Sequence, residues 1–103
     1  MDTPHDFEMR PDSEGVMWLS GELDMANADS FLERTMGHLD GQPTAVLDLS
    51  ALTFLDSSGI RAILRMAKVR TEGVVVRNPQ PNVRNVLEIA GVDALGVRID
   101  PAR

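Results

Sequence analysis

Four consecutive residues, Asp56-Ser57-Ser58-Gly59, are the stretch of this chain best suited to chemistry. A carboxylate beside two hydroxyls first suggests a serine nucleophile. A nucleophile elbow needs Gly-x-Ser-x-Gly, whose glycines let strand and helix close around a strained turn. Here Phe54-Leu55 precede the acid, with no leading glycine. A triad also needs a histidine. The two available are His5, in a polar lead-in, and His38, which the spacing places late on a helix and toward solvent. No catalytic residue is assigned. Two distant histidines and no cysteine give no metal-ligand set. Neither a dinucleotide fingerprint nor a phosphate-binding loop is present.

What remains for the serines depends on the elements around them. Val46, Leu47 and Leu49 read as a short buried strand, and from Ile60 the apolar residues switch to helical spacing at Ile63, Leu64 and Ala67. Asp56 between the two periods is a favoured N-cap, which puts Ser57 and Ser58 on the first helical turn. Their hydroxyls then stand at the carboxyl end of a strand, where open α/β sheets receive ligands and modifications. Two readings stand at this point. Asp56 caps and the serines merely cover the turn, or Ser57 is a modification site. A phosphoryl group there is favoured by free amides and the helix dipole, and it adds about −1.5 to −2 charges at one rim. Arg61, Arg65 and Lys68 fall on one helix face, as a solvated polar face does. Arg61, four residues after Ser57, is also within reach of a charge added there.

The rest of the chain reads as alternating elements. Phe7 and Met9 alternate with Glu8 and Arg10 as a brief edge strand, turn residues 11–15 follow, and Val16 to Leu19 make a second strand, closing a hairpin through a five-residue loop. Trp18 alternates with Met17 and Leu19 and reads as packing rather than a ligand platform. Gly21-Glu22-Leu23-Asp24 leaves this strand. A helix is predicted from the N-cap Asn27, with Ala28, Phe31, Leu32, Thr35, Met36 and Leu39 on one face, Gly41 as C-cap and Pro43 beyond. Thr44 to Leu49 form the next strand, and the central helix runs from Ser57 to about Thr71, with Gly73 ending it. Val74-Val75-Val76 is the run expected of a strand buried on both faces. A shorter helix through Val83, Val86, Leu87 and Ile89, ending near Ala90-Gly91, precedes a last strand at Leu95, Val97 and Ile99. The order ββαβαβαβ predicts a mostly parallel sheet of four or five strands, an antiparallel N-terminal hairpin and about three helices.

At 103 residues the chain is expected to be one α/β domain, 1–103, with 1–6 as lead-in. Hydrophobic residues at 43% and charged residues at 25% are ordinary for a folded domain and exclude disorder. A formal net charge of −6 argues against nonspecific nucleic-acid binding. The charge is uneven: residues 1–50 hold eleven acids and two bases, while 51–103 hold five acids and eight bases. Such asymmetry can steer a charged protein partner. No run approaches a membrane span and the acidic start lacks a signal peptide's regions, so a cytoplasmic protein without membrane contact is expected.

Gly21-Glu22-Leu23-Asp24, Leu47-Asp48-Leu49-Ser50 and Phe54-Leu55-Asp56-Ser57-Ser58-Gly59, in that order, resemble the STAS domain of bacterial anti-sigma factor antagonists. Asn78-Pro79-Gln80-Pro81-Asn82-Val83-Arg84-Asn85-Val86-Leu87 and Ile89-Ala90-Gly91-Val92 are similar to the family's third-helix region, and the likeness covers residues 7 to 100. The resemblance implies a partner switch. The unmodified antagonist binds an anti-sigma factor, often a serine kinase, and so frees the sigma factor. Phosphorylation at the first serine after the motif acid, Ser57 here with Ser58 as the alternative, stops binding, and a phosphatase restores it. The implied docking residues are Asp24, Asp56, Ser57, Ser58, Gly59 and Arg61. ATP belongs to the kinase, so the resemblance implies no cofactor for this chain. Many relatives carry a further C-terminal helix, which this chain does not show after its last predicted strand, so a monomer or weak dimer is expected. The rival reading is a STAS module that senses a small ligand or lipid, or serves as a structural subunit of a larger assembly, and is never phosphorylated.

Overall fold

In the computed structural model, residues 6–102 are described. The strands are β1 (Phe7–Pro11), β2 (Val16–Leu23), β3 (Ala45–Leu55), β4 (Val74–Arg77) and β5 (Val97–Asp100). The helices are α1 (Ala28–His38), α2 (Ser57–Val69) and α3 (Pro81–Ile89), with a 3-10 turn at Val92–Leu95. The sheet runs β1-β2-β3-β4-β5, antiparallel at β1–β2 and parallel elsewhere, as the element order predicts. Residues 1–5 of the lead-in lie outside the described residues, and Asp6 is exposed.

This strand order decides where the helices go. Every crossover after the hairpin steps to the next strand in the same direction, and right-handed crossovers then put all three helices on one face of the sheet. Phe31 of α1, Ile63 and Met66 of α2, and Val83 and Leu87 of α3 join one core with Met17, Leu19, Leu47, Leu49, Val74, Val76 and Val97. The residues that alternate with these strand positions face the other way: Arg10, Trp18, Val46, Asp48, Val75 and Arg77. Val75 is buried, as predicted for β4, but on a face that the crossovers leave without a helix.

Several boundaries differ from the sequence reading, each for a local reason. β2 does not end at Leu19, and Gly21-Glu22-Leu23 stays in the strand. β3 does not end at Leu49. It runs to Leu55 with two register shifts against β2, between Trp18 and Ser20 and between Gly21 and Glu22. Each shift puts an extra residue in β3, so its buried positions move from 45, 47, 49 to 52 and 55. Gly21 has φ +88°, and a Cβ there would meet the Asp6 carbonyl oxygen at 1.8 Å, so only glycine lets β1 close on β2 at this point.

α1 closes at Leu39 rather than Gly41, which lies two residues on in a turn at φ +82°. Arg70, just past α2, donates to the carbonyls of Leu39 and Gln42 and ties the two helix ends together. α2 ends at Val69, before Thr71. In α3, Ile89 is exposed rather than core-facing. Leu95 belongs to the 3-10 turn and not to β5, and it is also exposed.

Candidate functional site

β2 and β3 run parallel and end side by side, so the loops that follow them open at the same edge. The Asp56 N–H donates to the Leu23 carbonyl at 3.3 Å, which joins the two loops directly. The first loop is built on Asp24. Its carbonyl accepts from Asn27 and Ala28 N–H at 3.1 and 2.9 Å, and its carboxylate accepts from Ala26 N–H at 2.9 Å. Asn27 does precede α1 but makes no side-chain cap. Its amide is turned back instead, accepting from Asp24 N–H at 3.0 Å and donating to the Glu22 carbonyl at 3.0 Å.

In the second loop, Asp56 is the N-cap the sequence predicts. One carboxylate oxygen, Oδ1, accepts from Ser58 N–H at 2.9 Å and Gly59 N–H at 3.1 Å. Ser57 is exposed at the first position of α2, and Ser58 is half-buried. Neither hydroxyl holds a hydrogen bond among the described residues. The amide expectation needs correction: two first-turn amides are already engaged by Asp56 and are not free to receive a phosphate on Ser57. Gly59 is buried, and a Cβ there would stand 2.5 Å from Leu55 Cδ1 and 2.9 Å from Leu23 Cγ. The glycine therefore seats α2 directly on the ends of β2 and β3, which sets the height of Ser57 above the Asp24 loop.

The predicted residues Asp24, Asp56, Ser57, Ser58, Gly59 and Arg61 thus fall on one rim. Arg61 is exposed one turn beyond Ser57. A groove of about 210 Å³ continues the rim between α1 and α2, lined by Met25, Asp29, Leu32, Ser58, Arg61 and Arg65. The α1 side of this groove was not read from the sequence. Its signal is Met25, an apolar residue stranded in the polar turn between Asp24 and Asn27, which is 81% exposed.

A second polar cluster, also not read from the sequence, lies on the helix-free face. Asp48 is 1% exposed, and its carboxylate accepts from Ser50 N–H and Oγ at 2.9 and 2.7 Å, from Arg77 Nε and Nη2 at 3.2 and 3.0 Å, and from Asn78 Nδ2 at 3.3 Å. Burial pushes this carboxyl up, but the Ser50, Arg77 and Asn78 bonds outweigh it and hold it below the usual carboxylate range. Trp18 packs between the guanidinium groups of Arg77 and Arg10, at 5.4 and 5.7 Å from its ring centroid. Its Nε1–H donates to Asp12 at 2.8 Å. That bond first, then those from Val16 and Glu14 N–H and the charge of Arg77, holds Asp12 low as well. Trp18 packs, as predicted, but against cations on the open face and not in the core.

Among the described residues no group of three or more His, Cys, Asp or Glu is placed to hold a metal ion, and no helix is long and apolar enough to cross a membrane. A protein-family model described as Mlab, STAS domain, matches residues 7–98. BtrV of Bordetella bronchiseptica, which carries the name of an anti-sigma factor antagonist, is 35% identical over 80 residues, covering 74% of this chain and 69% of BtrV. The crystal structure of an anti-sigma factor antagonist from Mycobacterium paratuberculosis superposes with a TM-score of 0.76 at 25% identity, covering 99% of this chain and 92% of that one. The anti-sigma factor antagonist SpoIIAA, in its unphosphorylated form, shares the fold with a TM-score of 0.67 at 23% identity, covering 91% and 87%.

Proposed function

The chain belongs to the STAS domain family, and from that premise we propose that it antagonises an anti-sigma factor through the Asp24–Asp56 rim, under control of phosphate on Ser57. Antagonism of an anti-sigma factor is the function that its relatives' names support. The observation that carries the finer reading is the exposed hydroxyl of Ser57 at the head of α2, beside the Asp24 loop and without a hydrogen bond among the described residues.

The physics of the switch follows from what Asp56 already does. Its carboxylate caps the helix, so a phosphate on Ser57 stands beside an existing negative charge and outside the amides that Asp56 occupies. Arg61, one turn further along the same helix, offers it a cation. Such a dianion leaves the fold in place but must be desolvated beneath any protein seated on the rim, which is costly without a paired cation. The kinase supplies ATP and a phosphatase removes the phosphate, so the STAS chain itself performs no catalysis and acts in the cytoplasm where its partners work.

The test is a calorimetric titration of the anti-sigma factor with three forms of the chain. Ser57→Asp is expected to bind at least about tenfold more weakly than wild type, a change of 1.4 kcal/mol, while Ser57→Ala binds as wild type does. Equal affinities for Ser57→Asp and wild type would refute the switch. Mass spectrometry of the chain from its own host then locates the phosphate on Ser57 or on Ser58.

A further inference from the structure

Beyond the rim, α1 and α2 lie side by side and carry exposed charges of opposite sign next to each other, acidic on α1 and basic on α2, with the exposed Arg34 of α1 further round that helix. Asp29 and Glu33 are exposed one turn apart on α1, and Arg61, Arg65 and Lys68 are exposed at spacings of four and three on α2. None of these five side chains holds an ion pair or hydrogen bond among the described residues. Apolar surface borders them. Met25 stands at the head of α1, Val69 is 63% exposed at the foot of α2, and Leu95 is 56% exposed across a groove from Leu64 and Lys68. Three of the five large apolar side chains exposed among the described residues therefore surround this one helix pair.

The geometry points to a second copy of this chain as the occupant of the α1–α2 face. A two-fold axis running between the helices, parallel to both, lays α1 of one copy over α2 of the other. Asp29 and Glu33 of each copy then meet Arg61 and Arg65 of the other, and the same contacts occur twice by symmetry. Charge selects this occupant. A uniformly acidic protein helix would match α2 but be repelled by α1, and an anionic lipid surface would meet the same repulsion. A surface carrying both signs in swapped positions satisfies both helices, and this face is its own such complement.

The pairs are exposed, so each contributes little and salt screens it, which makes the dimer weak and reversible. Its consequence for regulation rests on the proposed function. The dimer covers Ser58 and Arg61 at the top of the groove, so self-association withholds the docking rim from the anti-sigma factor.

Sedimentation velocity over a concentration series tests this with the full chain and two charge-reversed forms, Arg61→Glu/Arg65→Glu and Asp29→Lys/Glu33→Lys. Wild type is expected to gain mass toward the dimer at low salt and return to the monomer at high salt. Each variant alone, with like charges now facing, is expected to associate about tenfold more weakly or worse. An equimolar mixture of the two variants is expected to recover association, because acid again faces base in both halves. A wild type that stays monomeric at every concentration overturns the inference, as does self-association that both variants retain. So does a mixture that stays monomeric while circular dichroism shows both variants folded. Because none of these forms alters Ser57, a failed Ser57→Asp titration refutes the switch and leaves this result standing.

Discussion

Two Asp-x-Ser segments in one chain, Asp48-Leu49-Ser50 and Asp56-Ser57-Ser58, place the same groups in opposite circumstances. On the open face, Asp48 is sealed and takes bonds from a hydroxyl, a backbone amide, a guanidinium and a side-chain amide. At the rim, Asp56 takes two backbone amides, and the serine hydroxyls beside it hold no hydrogen bond among the described residues. Saturation marks the first as architecture, since a buried carboxylate is stable only when its lone pairs are filled. The unfilled groups of the second are what a modifying enzyme or a docking protein can use. A motif therefore does not announce its role by residue type, and the role is decided by which bonds are already made.

The largest effect that would break this comparison is Asp48→Ala. It leaves the Arg77 guanidinium without its anion and frees Ser50 and Asn78. Removing one partner of a buried ion pair costs about 3–5 kcal/mol, and the partial exposure of Arg77 places this case near 3. The expected fall in melting temperature is roughly 12–24 °C, measured by circular dichroism. Binding of the anti-sigma factor per folded molecule should not change. A fall of only a few degrees would show that the open-face cluster does not hold the sheet.

Next in size is Asp56→Ala at the rim. Loss of an N-cap typically costs about 1 kcal/mol, or roughly 4–8 °C here. The variant sharpens the contrast, because a smaller loss of stability should come with a larger effect on docking. Without its cap the first turn of α2 frays, and Ser57 loses its fixed height above the Asp24 loop. A variant that melts lower but binds unchanged would detach the rim from docking.

How much of this was legible beforehand follows from the same contrast. Asp56 as a cap needs only its neighbours in sequence, so the switch from strand to helix spacing exposes it, and the strand order follows from alternating elements. The lower halves of β2 and β3 were not legible, because two bulges move β3's buried positions off a period of two: Leu49, Leu52 and Leu55 stand three apart and imitate a loop. The open-face cluster was hidden for a different reason. Asp12, Trp18, Asp48 and Arg77 come from the β1–β2 turn and three strands, and only the register of Trp18 with Asp48 and of Asp48 with Arg77 brings them together. Asn27 shows the limit of local rules, since a residue with every mark of a cap bonds backward to the loop it leaves.

The smallest effect probes the open-face cluster through the chain's single tryptophan. Asp12 is held below its ordinary 3.8 chiefly by the Trp18 indole N–H, so in the folded chain it stays ionised to lower pH than an unfolded aspartate does. A group depressed in this way contributes stability above the unfolded value and loses it as pH falls through the folded one. Trp18 emission should therefore hold steady from neutral pH down to about 3.8 and shift only below it, as the carboxylate stops accepting from the indole. Asp48 titrates in the same low range, so acid unfolding alone could imitate the step. The control is Asp12→Asn, which keeps an acceptor oxygen but does not titrate, with helix content followed in the same samples. If the variant loses the emission step while both chains keep their helices, the step belongs to Asp12. An emission change centred at or above 3.8 in the wild type would show that the indole bond does not hold Asp12 down, and that the cluster is looser than its geometry implies.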